Sequence, residues 1–435
     1  MLFIALITFC IFVYLTYRKP LLALVAFSAL LPTYLLRFEI FGFSSTVLEV
    51  MIWAIFLGWI TKQITSRGAK CCPLSLQAMF PKRGPLSILK SRLNFIKWPL
   101  GLFFISSIIA IFVAPDFIKA FGLWRAYFLE SIIVLFLFLA IIKNKKDFEK
   151  IIFGLSFSAL YLSLYAIGQR FFGIPIIEPW QKELRVTSVF PYPNALGLYL
   201  GPIIILMLGT ALKNLKLKSL TSYFLLLTSF LSLIAIMLAQ SDGAIFAVVA
   251  ALLIFVLLNA FLNKKYKGGI IILLLVLIAG GLLFGALAPV NEKILLKDWS
   301  GFVRLTMWKE TWNMLKDNWF FGAGINGFQE KIIPYHESRE WMEIYLYPHN
   351  IILNFWSELG LLGLAAFLWL LEKFGKICYK LILSERKSRI YIITAISAMA
   401  VILIHGLVDV PYFKNDLSIL FWIIVSMPLI IKVEG

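Results

Sequence analysis

Apolar runs of about twenty residues, the length a helix needs to cross the hydrocarbon core of a bilayer, recur along the whole of this sequence. Candidate spans cover residues 2–17, 20–36, 46–62, 99–114, 121–142, 151–172, 194–212, 219–239, 243–262, 269–288, 349–371, 390–408 and 417–431. The fold class expected is all-α, a polytopic membrane helix bundle of about 12–13 transmembrane helices. Composition agrees, since 61% of the 435 residues are hydrophobic and only 15% are charged, whereas a soluble domain would be about a quarter charged. The first run lacks a basic leader and a small-residue cleavage site, so it reads as a span and not as a signal peptide.

The net charge of +18 could suggest nucleic acid, but its distribution argues for a membrane. Basic residues gather in short connections between spans: Arg18-Lys19, Lys62 to Lys97, "KNKKDFEK", "KNLKLK", "NKKYK" and "SERKSR". Basic loops at every second connection mark the cytoplasmic face, and anionic head groups add attraction there. This alternation puts the N-terminus outside and the C-terminus inside. Charge dispersed over many short loops makes no nucleic-acid footprint. Of the four cysteines, Cys71, Cys72 and Cys378 fall on the cytoplasmic side and Cys10 in the first span. No disulfide and no zinc site are expected.

Two connections on the outer side are long, residues 170–194 and 289–348, and loops of that size tend to carry function. In the larger, "SGFVRLTMWKETWNMLKDN" predicts an amphipathic helix capped by Ser300. Phe302, Leu305, Trp308, Trp312 and Leu315 form its apolar face, suited to lie at the head-group level. The "FFGAGINGF" that follows matches a dinucleotide fingerprint at Gly322, Gly324 and Gly327. It lacks the strand and helix that motif requires, so it reads as a turn.

His349 is the candidate for chemistry. Pro348 in "YPHN" precedes a helix, which sets His349 and Asn350 in its first turn. The positive end of the helix dipole favours a neutral imidazole, and a neutral ring can take a proton from a hydroxyl. The bland alternative is an interfacial anchor. Arg185 and Arg304 lie in the two outer loops, and their guanidinium forks suit a phosphate; Arg170 and Arg339 are weaker candidates. Tyr347 and Asn350 flank the ring. Glu358 falls well inside its span, where a lone charge is costly, so a structural pair with Arg125 is the leading expectation. Glu130 meets the same difficulty. Gly360 and Gly363 would let a neighbouring helix approach. His405 and Asp409, four apart, could meet on one helix face. His336 reads as solvated, and the scattered histidines make no metal site.

These motifs resemble the O-antigen ligase family. The likeness rests on "RVTSVFPYPNALGLYLG", "RLTMWKETWNMLKDNWFFGAGINGF", "YPHNIILNFWSELGLLG" and "HGLVDVPYF", in that order. His349 followed eleven residues later by Gly360 fits the family's His-then-Gly pattern, and "QSDGA" with Asp242 departs from the Ser-Arg of many members. The chain then divides into N-terminal helices (1–150, with a basic loop at 63–98), a ligase-like core (151–416) and a last helix (417–435). The resemblance implies a glycosyltransferase without metal or cofactor, acting outside the inner membrane. Its donor would be an undecaprenyl-diphosphate-linked glycan, and its acceptor a glycolipid or glycan, namely a sugar hydroxyl of the lipid A core. His349 would activate that hydroxyl, and Arg185 and Arg304 would hold the diphosphate, with inversion at the anomeric carbon. A polymerase that extends lipid-linked repeats, a cell-wall polymerase of the shape-and-division type, and a transporter or flippase are the rival readings. A transporter would call for internal repeats and ionisable groups near the midplane.

Overall fold

The computed structural model describes residues 1–40, 43–68, 85–214, 219–262, 298–336 and 343–434. The span expected at 269–288, Cys71, Cys72, Arg339 and residues 69–84 of the basic stretch from Lys62 to Lys97 lie outside the described residues.

Helices dominate. They are α1 (Leu2–Arg18), α2 (Pro20–Ala29), α3 (Val47–Gly68), α4 (Pro85–Leu93) and α5 (Lys97–Val113). Then come α6 (Phe117–Ile141), α7 (Lys145–Phe171), α8 (Pro193–Asn214), α9 (Leu220–Leu238) and α10 (Asp242–Leu262). The described chain continues with α11 (Trp299–Asp317), α12 (Phe328–Lys331), α13 (Ile351–Ser384), α14 (Arg389–His405) and α15 (Asn415–Glu434). Among the described residues nine helices are long and apolar enough to cross a membrane, or ten if α4 and α5, bent by 86°, count as one. The protein is a multi-pass all-α membrane bundle.

Three stretches depart from the sequence expectation. The run at 20–36 is helical only to Ala29 and turns into a 3-10 segment, Leu31–Leu35. Pro32 lies there, and its ring and missing N–H oppose further α-helix. An antiparallel hairpin follows, pairing β1 (Arg37–Ile40) with β2 (Phe43–Thr46). Thirdly, the run read as one span at 349–371 is broken: Gly360 in α13 has φ 68° and ψ −174°. The break admits a loop, not a neighbouring helix. The Leu361 N–H donates to Phe320 O at 2.9 Å, and the Ala323 N–H to Ser357 O at 2.6 Å. Gly363 instead faces the Leu359 side chain of its own helix.

The core centres on α8 and α15, the most deeply buried spans. Phe103, Phe128, Phe355, Tyr412 and Trp422 are packed ring on ring, with the Phe103 centroid 5.5 Å from Phe128 and 6.0 Å from each of the other three. Such pairs each contribute about 0.5–1.5 kcal/mol beyond area burial. Here they bind α5, α6 and the first half of α13 to the segment between α14 and α15.

The bundle has two chemically distinct ends. At one, Lys213 bridges to Glu149 at 2.7 Å and Lys145 donates to Ser388 at 2.7 Å. Arg92 donates to the carbonyls of Leu139 and Ile142, both at 2.6 Å. The basic connections therefore meet there. The opposite end gathers the hairpin, the segment before α8, α11 and the start of α13.

Candidate active site

The site begins at the N-terminus of α13. Asn350 caps that helix, its side chain accepting from the N–H groups of Ile352 at 3.0 Å and Leu353 at 3.1 Å. A capping residue is extended, so the helix counts from Ile351. His349 thus stands one residue before the cap, not in the first turn as the sequence suggested. Its φ is 45°, in the left-handed region, which non-glycine residues seldom occupy.

From there the imidazole reaches Asp409, with Nδ1 3.3 Å from Oδ1. Asp409 is buried and also takes the Asn194 amide on Oδ2 at 3.2 Å and the Val410 N–H on Oδ1 at 2.8 Å. Burial works to raise this carboxyl. The hydrogen bond and charge of His349, helped by His405 and the Val410 N–H, outweigh it and hold Asp409 well below the usual carboxylate range. An ionised Asp409 only accepts, so Nδ1 carries the hydrogen in either state of the ring, and when the ring has lost its other proton Nε2 is a bare acceptor.

The turn that carries Asp409 is docked onto α13. The Ile351 N–H donates to Gly406 O at 2.6 Å, and Asn350 Nδ2 to Leu407 O at 3.1 Å. Sequence spacing had paired His405 with Asp409 on one helix face, but α14 ends at His405 and Asp409 lies beyond it. His405 is buried instead, its Nδ1 without a partner among the described residues. A Cβ on Gly243 would come within 3.0 Å of the His405 ring and 2.9 Å of Val408, so a side chain at 243 would press on both.

Arg304 rises from α11, which is capped by Asp298 through the Gly301 N–H at 3.1 Å and not by Ser300. Arg304 Nε donates to Val408 O at 3.0 Å and Nη1 to Ser300 Oγ at 2.5 Å. The apolar stripe expected on α11 is only partly buried: Phe302, Leu305 and Trp312 are exposed, while Val303, Met307, Met314 and Leu315 pack inward. Arg185 shares no contact with His349, Asp409 or Arg304 among the described residues. Its Nε meets Ala239 O at 3.2 Å and its Nη2 Gln240 O at 3.3 Å, with the guanidinium over Trp180. Arg170, at the end of α7, is exposed.

Tyr347 OH donates to Phe413 O at 3.5 Å, which ties the His349 segment to the start of α15. Next to Phe413, Lys414 Nζ lies 4.0 Å from the centroid of the Tyr192 ring. Burial pushes this ammonium down to about 8, against the opposing pull of Asp416 and Asp409 and with a smaller push from Arg37. Sequence reasoning passed over Asn194, Tyr192 and Lys414. The "PYPN" run offered a signal, because polar residues at the mouth of a span lie at the water boundary.

Arg125 and Glu358 do not meet. Arg125 pairs with Glu49 at 2.5 Å and Glu130 at 3.4 Å. Glu358 accepts the Asn326 N–H at 2.7 Å, because the loop entering at Gly360 brings backbone donors to its depth. His336 is not simply solvated: Nδ1 lies 3.1 Å from Glu310 Oε2. Gly322 and Gly324, with φ of 68° and 81°, belong to the turn expected of "FFGAGINGF". Among the described residues no group of three or more His, Cys, Asp or Glu could hold a metal ion.

No curated protein matches the sequence. Residues 227–368, which include Arg304, His349 and Gly360, are similar to the family model described as O-antigen ligase.

Proposed function

We propose that this protein transfers a glycan from an undecaprenyl-diphosphate carrier to a sugar hydroxyl, at the outer face of a bacterial inner membrane. The acceptor in this reading is a lipid A core sugar. The single observation that supports it most is the His349–Asp409 contact at 3.3 Å, set beside Arg304 through the Val408 carbonyl, inside or next to the O-antigen ligase match.

The chemistry follows from those groups. Asp409 holds Nδ1–H of His349, so Nε2 accepts the proton of the acceptor hydroxyl. The freed oxygen attacks the anomeric carbon from the face opposite the diphosphate, and the configuration inverts. The bond from that carbon to the phosphoryl oxygen breaks, and its electron pair leaves on the diphosphate. Arg304 lies where it can offset the charge that develops. The imidazolium formed on His349 faces the Asp409 carboxylate until it releases its proton to water. Partial exposure of His349, at 26%, leaves that route open.

The test is His349→Ala, purified in detergent and assayed with a lipid-diphosphate-linked glycan and a core glycolipid. A loss of at least about 100-fold in rate is expected for a general base, with monodisperse protein at wild-type yield. Wild-type transfer by this variant refutes the assignment.

A further inference from the structure

A diphosphate esterified at both ends keeps one negative charge on each phosphoryl group, and the two arginines do not supply two uncommitted cations. Arg185 has all its nitrogens engaged: Nε on Ala239 O at 3.2 Å, Nη2 on Gln240 O at 3.3 Å, and Nη1 facing Glu183 at 3.7 Å. Arg304 spends Nε on Val408 O and Nη1 on Ser300, which leaves one terminal nitrogen.

Lys414 differs from both. Its ammonium rests over the Tyr192 ring at 4.0 Å, and among the described residues no carboxylate comes within 4.0 Å of it. The acids grouped around it are committed elsewhere. Asp409 holds His349 and Asn194. Asp416 accepts the Leu417 N–H at 3.0 Å. A contact with a ring face stabilises the charge while leaving N–H donors unspent.

The position joins this ammonium to the base. Tyr192 lies two residues before Asn194, which holds Asp409, and Tyr347 lies two before His349 and bonds to Phe413, the neighbour of Lys414. We propose that Lys414, seated on Tyr192, is the second cation of the site and binds a phosphoryl oxygen of the carrier diphosphate. A lysine suits this task as a point charge with rotatable donors, complementing the fixed fork of Arg304. The assignment rests on the glycosyltransferase reading above.

The probe is inorganic pyrophosphate, titrated calorimetrically into the full chain in phosphatidylcholine nanodiscs without divalent metal. Lys414→Met keeps the side-chain stem and removes the charge. It should bind about tenfold more weakly or worse, the loss expected for one charge-assisted hydrogen bond, while Lys414→Arg stays near wild type. Lys414→Gln takes its place if the methionine variant is not monodisperse. Wild-type binding by Lys414→Met, with loss of binding in Arg304→Gln, overturns the role of Lys414 and leaves the glycosyltransferase reading standing. Absence of pyrophosphate binding by the wild type overturns the proposal as well, whereas the transfer reading is judged separately by His349→Ala.

Discussion

His349 holds a left-handed backbone between a proline and a capping asparagine, and that geometry aims its Nδ1 at Asp409. Asp409→Asn removes the charge that fixes the tautomer. The carboxamide can offer its own N–H to Nδ1, which favours the ring form with hydrogen on Nε2, a donor where an acceptor is needed. The expected outcome is a fall in kcat of about 10²- to 10⁴-fold, as when a triad carboxylate becomes an amide, with KM for donor and acceptor little changed. Initial rates at saturating donor check it. At this scale the sequence singles out His349 and Arg304 as candidates, because a titratable ring and a guanidinium beside apolar runs are conspicuous. It was uninformative about the partners of Asn194 and Lys414. Their neighbours come from other parts of the chain, 215 residues away for Asn194 and Asp409, and no local pattern encodes such a meeting.

Among the elements, hydropathy located the long helices well, since transfer free energy summed over twenty residues is a large signal. It could not see the break in α13. Ser357 and Glu358 before Gly360 do not lower the hydropathy of the run enough to break it, and only the positive φ and the backbone of Phe320 and Phe321 reveal an interruption. A Cβ there would lie 2.2 Å from Phe320 O. Gly360→Ala should therefore cost about 2–5 kcal/mol, from the left-handed penalty plus overpacking, and a lower thermal midpoint of the detergent-solubilised protein measures it. The hairpin Arg37–Thr46 was hidden for a different reason. It is four residues per strand, too short to show alternation against the apolar runs beside it. The Arg125–Glu358 expectation paired charges by type, whereas the packing of α3 against α6 brings Glu49 to Arg125, and Glu130 lies five residues along Arg125's own helix.

Across the whole molecule, the alternation of basic loops read from sequence corresponds to two separate ends in space: Lys145, Lys213 and Arg92 at one, His349, Arg304 and Lys414 at the other. The positive-inside rule assigns the first to the cytoplasm. Single cysteines at Lys182 and Lys146, both exposed, test this in a chain whose four cysteines are replaced by serine. A membrane-impermeant maleimide added to intact cells should label the cysteine at 182 and spare that at 146. The reverse pattern would put the His349 end in the cytoplasm, away from any glycan waiting outside.

The interruption at Gly360 also sets a measure on the chain. Leu361 must reach Phe320 O, while Asn350 must reach Leu407 O, so the helical turns between act as a ruler clamped at both ends. One residue more or fewer would swing the imidazole by about 100° around the helix axis and turn it from Asp409. The eleven-residue interval from His349 to Gly360 is thus a length that the two clamps impose, on top of what burial asks of Phe355 and Glu358 within it.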